Sequence, residues 1–202
     1  NDGISTAKKE SHSWNGIYWK EILLDIYEKK KDIKRIRDIS EELFFNSHNR
    51  MKYYKKIKAT YVFNDWVTKC EEIIDKIKGT SKSGDYSDAP LLDEIFVEEN
   101  YKDRLLKLLE INSTRIEFVD QFANYVKDDY PEIIIQLFEQ AIKTYAMKTG
   151  RDFYNDVVRY LKKMQKLSGG EEIVKKIVGQ FCIQYKNRRA MMEILNKNFP
   201  GM

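Results

Sequence analysis

An all-α fold, an antiparallel helical repeat of about ten helices, is what this sequence predicts from its spacing and its internal similarity. Three observations carry that expectation. Only three prolines and nine glycines interrupt 202 residues, too little punctuation for many short strands. Apolar residues recur at three and four positions almost everywhere after Trp14, the amphipathic-helix period. Two stretches of the first half return in the same order in the second.

Taken in order, "NDGISTAKKESHS" (residues 1–13) reads as a flexible lead-in, and a first residue of Asn1 points to a piece of a larger protein or a processed chain. Helices are expected from Trp14 to Lys30, from Asp32 to Phe45 after a break at "KKKD", and over "HNRMKYYKKIKATYV". Another starts at "NDW" with Asn64 as its N-cap and stops at Gly79. These make a first helical unit, 14–79. "GTSKSGDYSDAP" is rich in Gly, Ser and Asp, so 80–90 is read as the loop between halves. A second unit, 91–150, comprises "LLDEIFVEEN", "YKDRLLKLLEI", "STRIEFVDQFANYVKD" and "YPEIIIQLFEQAIKTYAMKTG", the last with Pro131 in its first turn and Gly150 as its stop. The C-terminal helices, 151–202, pack on that second unit: "RDFYNDVVRYLKKMQKL", the break "SGGEE", and a long helix from Glu171 toward Leu195, interrupted near Lys186.

The repeat is specific. Ile22, Leu23, Asp25, Ile26 and Tyr27 stand 69 positions before Leu91, Leu92, Glu94, Ile95 and Phe96, and Arg35 and Ile36 continue the register onto Arg104 and Leu105. "ATYVFNDW" then matches "ANYVKDDY" at a separation of 64. A duplicated four-helix unit with TPR-like αα stacking follows, because each helical pair has an apolar face that only a neighbour can bury. Tyr18, Trp19, Tyr27, Tyr54, Tyr61, Trp66, Phe96, Phe118, Phe122 and Tyr125 lie at helical spacing and are read as core. Alanine at Trp66 or Tyr125, at equivalent turns of the two copies, is expected to cost about 3–5 kcal/mol if each ring is buried.

Charge is segmented. The formal total is +4, but residues 1–79 carry +4, residues 80–150 carry −6 and residues 151–202 carry +6. Distinct acidic and basic zones argue against wholesale coating by nucleic acid. Cys70 and Cys182 are the only cysteines, so neither a disulfide framework nor a zinc quartet exists; both are read as small buried residues in a reducing cytoplasm. No apolar run approaches the ~20 residues of a membrane span.

The order "IYWKEILLDIYEKKKDIKRIRDI", "YYKKIKATYVFNDW", "YVKDDYPEIIIQLFEQAI", "RDFYNDVVRYLKKMQKL", "YKNRRAMMEIL", from Tyr18 to Phe199, resembles the helical C-terminal region of bacterial SWIM zinc-finger proteins. The resemblance implies a helical architecture and no particular reaction, since its markers are turn and packing motifs. In that family the finger, a C-x-C followed by C-x-H, lies upstream of the helices. This chain has no such pattern: Cys70 and Cys182 stand alone, with neither His12 nor His48 near them. A zinc or finger-borne DNA role therefore does not transfer to these residues.

Chemistry finds few footholds. Glu71 and Asp75 in "CEEIID" share a helix face with Glu72 beside them, but a di-metal helical site needs Glu-x-x-His motifs, and none occurs. "LSGGEE" lacks the Lys-Ser/Thr tail of a phosphate loop and follows no strand. No catalytic residue, cofactor or metal is expected. The strongest candidate is basic: Arg159, Lys162, Lys163 and Lys166 at i, i+3, i+4, i+7, with Lys175, Lys176, Lys186, Arg188 and Arg189 following. Tyr154, Tyr160 and Tyr185 could stack bases beside them. Three readings stand: a solvated face or one docked by the acidic 80–150 segment, an acidic protein partner, or nucleic acid. The preferred function is a non-enzymatic interaction scaffold with a protein partner, and a nucleic-acid module is the alternative. Under that alternative, charge reversal at Lys162, Lys163 and Lys166 abolishes salt-sensitive binding and spares helicity.

Overall fold

A computed structural model describes residues 4–6, 16–80 and 91–201. The lead-in 1–13 and the loop 80–90 lie outside the described residues, apart from 4–6 and Thr80. Among the described residues every regular element is helical, and the chain divides into two compact units, 1–84 and 85–202.

The first unit holds α1 (Gly16–Lys30), α2 (Ile33–Asn46), α3 (Arg50–Lys58) and α4 (Phe63–Thr80). Helix α1 ends where Lys31 turns to φ 54°, which lets the Asp32 amide donate to the Tyr27 carbonyl at 3.1 Å. Asp32 then caps α2, its carboxylate accepting from the Arg35 amide at 3.2 Å. The core is aromatic at its centre. Tyr54 of α3 is fully buried between Phe44 of α2 and Trp66 of α4, with ring centroids 5.9 and 5.2 Å away, and its hydroxyl lies 3.3 Å from the Cys70 sulfur. Around that core α2 gathers cations: Glu42 takes Lys20 of α1 at 2.9 Å, and Glu41 takes Lys69 of α4 at 2.8 Å and also Lys76.

The second unit holds α5 (Leu92–Glu98), α6 (Lys102–Ile111), α7 (Ile116–Phe122) closed by a 3-10 turn (Ala123–Tyr125), α8 (Pro131–Tyr145), α9 (Arg151–Gln165), α10 (Gly170–Gln184) and α11 (Arg189–Asn198). Successive helices pack on one another, but the last four depart from simple succession: α9 also packs on α11, and α10 on α8. Helix α9 is therefore walled on several sides. Val157, Val158, Leu161 and Met164 are buried, and Tyr154 and Tyr160 with them. The α9–α10 turn depends on two glycines. Gly169 sits at φ 81°, and a Cβ on Gly170 would stand 1.9 Å from the Met164 carbonyl oxygen.

Several expected boundaries move. Asn64 does not cap α4. The helix begins at Phe63, and the Val62 carbonyl already accepts from the Trp66 amide, so Asn64 lies within the first turn. Gly79 does not stop α4 either, since the helix runs through Thr80. Helix α3 ends at Lys58 rather than Val62, and the 113–128 helix is cut to α7 plus its 3-10 turn. Pro131 opens α8 as expected, but Gly150, at φ 131°, introduces α9 after α8 has ended at Tyr145. The long terminal helix is interrupted near Lys186 as expected, dividing into α10 and α11 at 185–188. Burial also departs from expectation at Tyr18 (60% exposed), Tyr125 (52%) and Cys182, which is half-buried.

The first of the two repeated stretches has matching local geometry at positions 69 apart. Lys31 and Asn100 both take left-handed backbone, φ 54° and 56°. The Asp32-to-Tyr27 bond has its counterpart in Tyr101-to-Phe96 at 2.8 Å, and Ile36-to-Asp32 in Leu105-to-Tyr101, both at 3.0 Å. Tyr27 and Phe96 are each 1% exposed, with Arg35 and Arg104 placed over them at 5.0 and 6.0 Å. The second stretch agrees only in part. Trp66 and Tyr130 donate to Val62 and Val126 alike, yet Val62 is 68% exposed and Val126 fully buried.

Candidate functional site

The nine basic residues singled out in the sequence lie on α9, α10 and α11 and at the turns between them. Arg159 and Lys163 project from α9 and are held by carboxylates. Arg159 bonds Asp156 at 2.9 Å and the Tyr160 hydroxyl at 2.9 Å, and Lys163 reaches both oxygens of Asp120 on α7 at 2.6 Å. Lys162 donates to the Asn198 side chain on α11 at 2.7 Å, and Arg151 of the same helix pairs with Glu193 of α11 at 2.9 Å. Lys175 sits between Glu171 and Glu172, at 3.4 and 2.9 Å, on its own helix. Arg188 closes α8: its guanidinium donates to the Ala146 carbonyl at 2.9 Å and lies 4.2 Å from the Tyr185 ring centre. That bond satisfies a carbonyl which the end of a helix otherwise leaves unpaired.

Lys166, Lys176, Lys186 and Arg189 have no ion-pair partner among the described residues. Lys166 stands just past the end of α9, Lys176 is mid-way along α10, and Lys186 and Arg189 flank the α10–α11 corner. A 15-residue helix such as α10 is about 22 Å long at 1.5 Å per residue. These cations accordingly stand before, within and beyond α10, spread over about its length. Of the tyrosines expected to stack bases, Tyr154, Tyr160 and Tyr185 are all buried.

The buried polar side of α9 forms a network. The Tyr145 hydroxyl donates to Asp156 at 3.1 Å, and the Tyr145 and Tyr160 rings meet edge to face at 6.0 Å. Burial, and then the bond to the Asp156 carboxylate, push the Tyr145 phenol up to about 12. Burial likewise raises Tyr160. Both phenols thus stay protonated at neutral pH; Tyr145 is the donor that ties α8 to α9, and the Tyr160 hydroxyl accepts from Arg159 within α9.

Concavity appears beside α9. Asp120, Asn124, Lys127, Lys163, Lys166, Ala123, Phe138 and Leu167 line a depression of about 250 Å³. An adjoining one of about 370 Å³ shares Lys127, Lys166 and Leu167 and adds Asp128, Pro131 and Ser168. Sequence reading found Lys163 and Lys166 and missed Lys127, Asn124, Asp120 and Ser168. Nothing local marks them; they become neighbours only when α7 and its 3-10 turn lie against the end of α9.

Glu72 and Asp75 are engaged by Lys69 and Lys78 on the surface of α4, both at 3.2 Å. Among the described residues no three His, Cys, Asp or Glu side chains gather in a way that could hold a metal ion, and no helix is long and apolar enough to cross a membrane. No family model, no curated protein and no solved structure matches this chain.

Proposed function

We propose that this chain is a non-enzymatic helical-repeat scaffold for a protein partner, the helical arm of a larger modular bacterial protein working in the reducing cytoplasm. The observation that carries the reading is the division of labour among side chains. Several ionisable groups pair between helices, such as Glu41 with Lys69 and Lys163 with Asp120, whereas large apolar side chains stand in solvent on each unit: Val62 (68%) and Phe63 (79%) at the α3–α4 turn, and Met147 (62%) and Ile183 (78%) in the second unit. Apolar residues presented on a fixed backbone are what partner surfaces use as anchors. The α3–α4 turn is fixed from behind: Arg37 of α2 donates to the Thr60 hydroxyl at 3.0 Å and to its carbonyl, and lies 3.8 Å from the Tyr61 ring centre.

The repeated turn geometry supports the duplicated, TPR-like part of the reading, and the motif order from Tyr18 to Phe199 supports kinship with the SWIM-associated helical regions. The nucleic-acid alternative rests on Lys166, Lys176, Lys186 and Arg189, which are too dispersed to follow one phosphate backbone closely. Affinity capture with wild type and with a Val62→Asp/Phe63→Asp variant tests the proposal. A protein retained by wild type and lost from the variant, with helicity unchanged by circular dichroism, is the expected result. Identical recovery from both, together with saturable, salt-sensitive binding of a DNA or RNA oligonucleotide, contradicts it.

A further inference from the structure

We infer that the paired depressions between the α7 turn and the end of α9 form a binding site for a phosphomonoester carried on an apolar group. This goes beyond the scaffold reading and does not depend on it. Two lysines, Lys127 and Lys166, line both depressions, and neither has an ion-pair partner among the described residues. The third, Lys163, is neutralised by Asp120, which it meets with both carboxylate oxygens at 2.6 Å. Asp128 at the outer rim leaves an excess of one positive charge, so the trough attracts an anion.

The donors decide what kind of anion. The ammonium groups of Lys127 and Lys166 line both depressions, the Asn124 amide lines one and the Ser168 hydroxyl the other. Donors supplied by both the α7 turn and the end of α9 suit an oxyanion with several acceptor oxygens better than a flat carboxylate with two, and lysine serves phosphate as a mobile point charge. The remaining walls are apolar: Leu167 is common to both depressions, with Phe138 and Ala123 on one side and Pro131 on the other. An anionic head against these donors with a ring or chain against Leu167 uses both kinds of wall, as small-molecule sites do.

The test is an amide-resolved NMR titration of the whole chain with phenyl phosphate, and with benzoate at matched ionic strength. Saturable shifts are expected at Asn124, Lys127, Lys166, Leu167 and Ser168, with benzoate at least fivefold weaker. The Lys127→Gln/Lys166→Gln variant should weaken phenyl phosphate at least tenfold while helicity stays unchanged, and Lys176→Gln/Lys186→Gln, at residues that line neither depression, should leave it within twofold. Absence of shifts at these amides, equal binding of benzoate, or equal weakening by the two double variants would overturn the assignment.

Discussion

Helix α2 in the first unit and helix α9 in the second reach their neighbours through side chains of opposite sign. Each packs against more than its sequence neighbours: α2 reaches α1, α3 and α4, and α9 reaches α8, α10 and α11. From α2, Glu41 and Glu42 receive lysines from α1 and α4. From α9, Arg151 and Lys163 supply cations to acids of α11 and α7, and Lys162 reaches an amide of α11. A conspicuous stripe of one sign is therefore not by itself a ligand site: Arg159, Lys162 and Lys163 are engaged by nearby side chains, and Lys166 is the member whose side chain has no ion-pair or hydrogen-bond partner among the described residues. Exposed pairs of this kind each contribute only about 0–1 kcal/mol, so they orient helices whose stability comes from apolar burial.

The largest expected effect separates the two units at their aromatics. Trp66 is 4% exposed against Tyr54 and Tyr61, so Trp66→Ala should lose about 3–5 kcal/mol in urea unfolding. Tyr125, half in water, should lose under about 1 kcal/mol. Equal losses would mean that Trp66 and Tyr125 are buried alike, contrary to their exposures of 4% and 52%.

A smaller contrast lies within α10. Gly170→Ala drives a methyl into the Met164 carbonyl and should cost about 1–3 kcal/mol by forcing α9 and α10 apart. Gly179→Ala, nine residues on, meets nothing within 4 Å and should stabilise by up to about 1 kcal/mol through helix propensity. Thermal melts of the pair report the difference, and matching signs would refute the close α9–α10 approach.

Smaller still is the repeated turn. Lys31 takes left-handed backbone against its nature, whereas Asn100 tolerates it, so Lys31→Gly should stabilise by about 0.5–1 kcal/mol and Asn100→Gly by only a few tenths. Chemical denaturation resolves this, and a loss at Lys31 would remove the geometric likeness of the two turns.

These comparisons also show what the sequence could disclose. Helix order and type were legible because period-three-and-four burial is local; the ridge Val157, Val158, Leu161, Met164 reads correctly from spacing alone. The break at "KKKD" and the opening of α8 at Pro131 were legible for the same reason. Asn64 misled because a good capping side chain was passed over in favour of a start one residue earlier, at Phe63, with the Val62 carbonyl opening the helix. Tyr125 misled because the helix expected to bury it gives way to a 3-10 turn, and a tighter turn points different side chains inward. The basic stripe was visible, but its partners were not: Asp120 lies 43 positions before Lys163, and no local rule joins them. Lys127 and Ser168 stayed hidden for that reason too.

The account stands on the claim that the charges of α9 hold its neighbours, and the Lys163–Asp120 pair tests it most directly. A double-mutant cycle with Lys163→Glu and Asp120→Lys, followed by urea unfolding, should show each single change destabilising and the swapped pair recovering most of the loss, with a coupling energy of up to about 1 kcal/mol. Additive losses, with no recovery in the swapped protein, would contradict it.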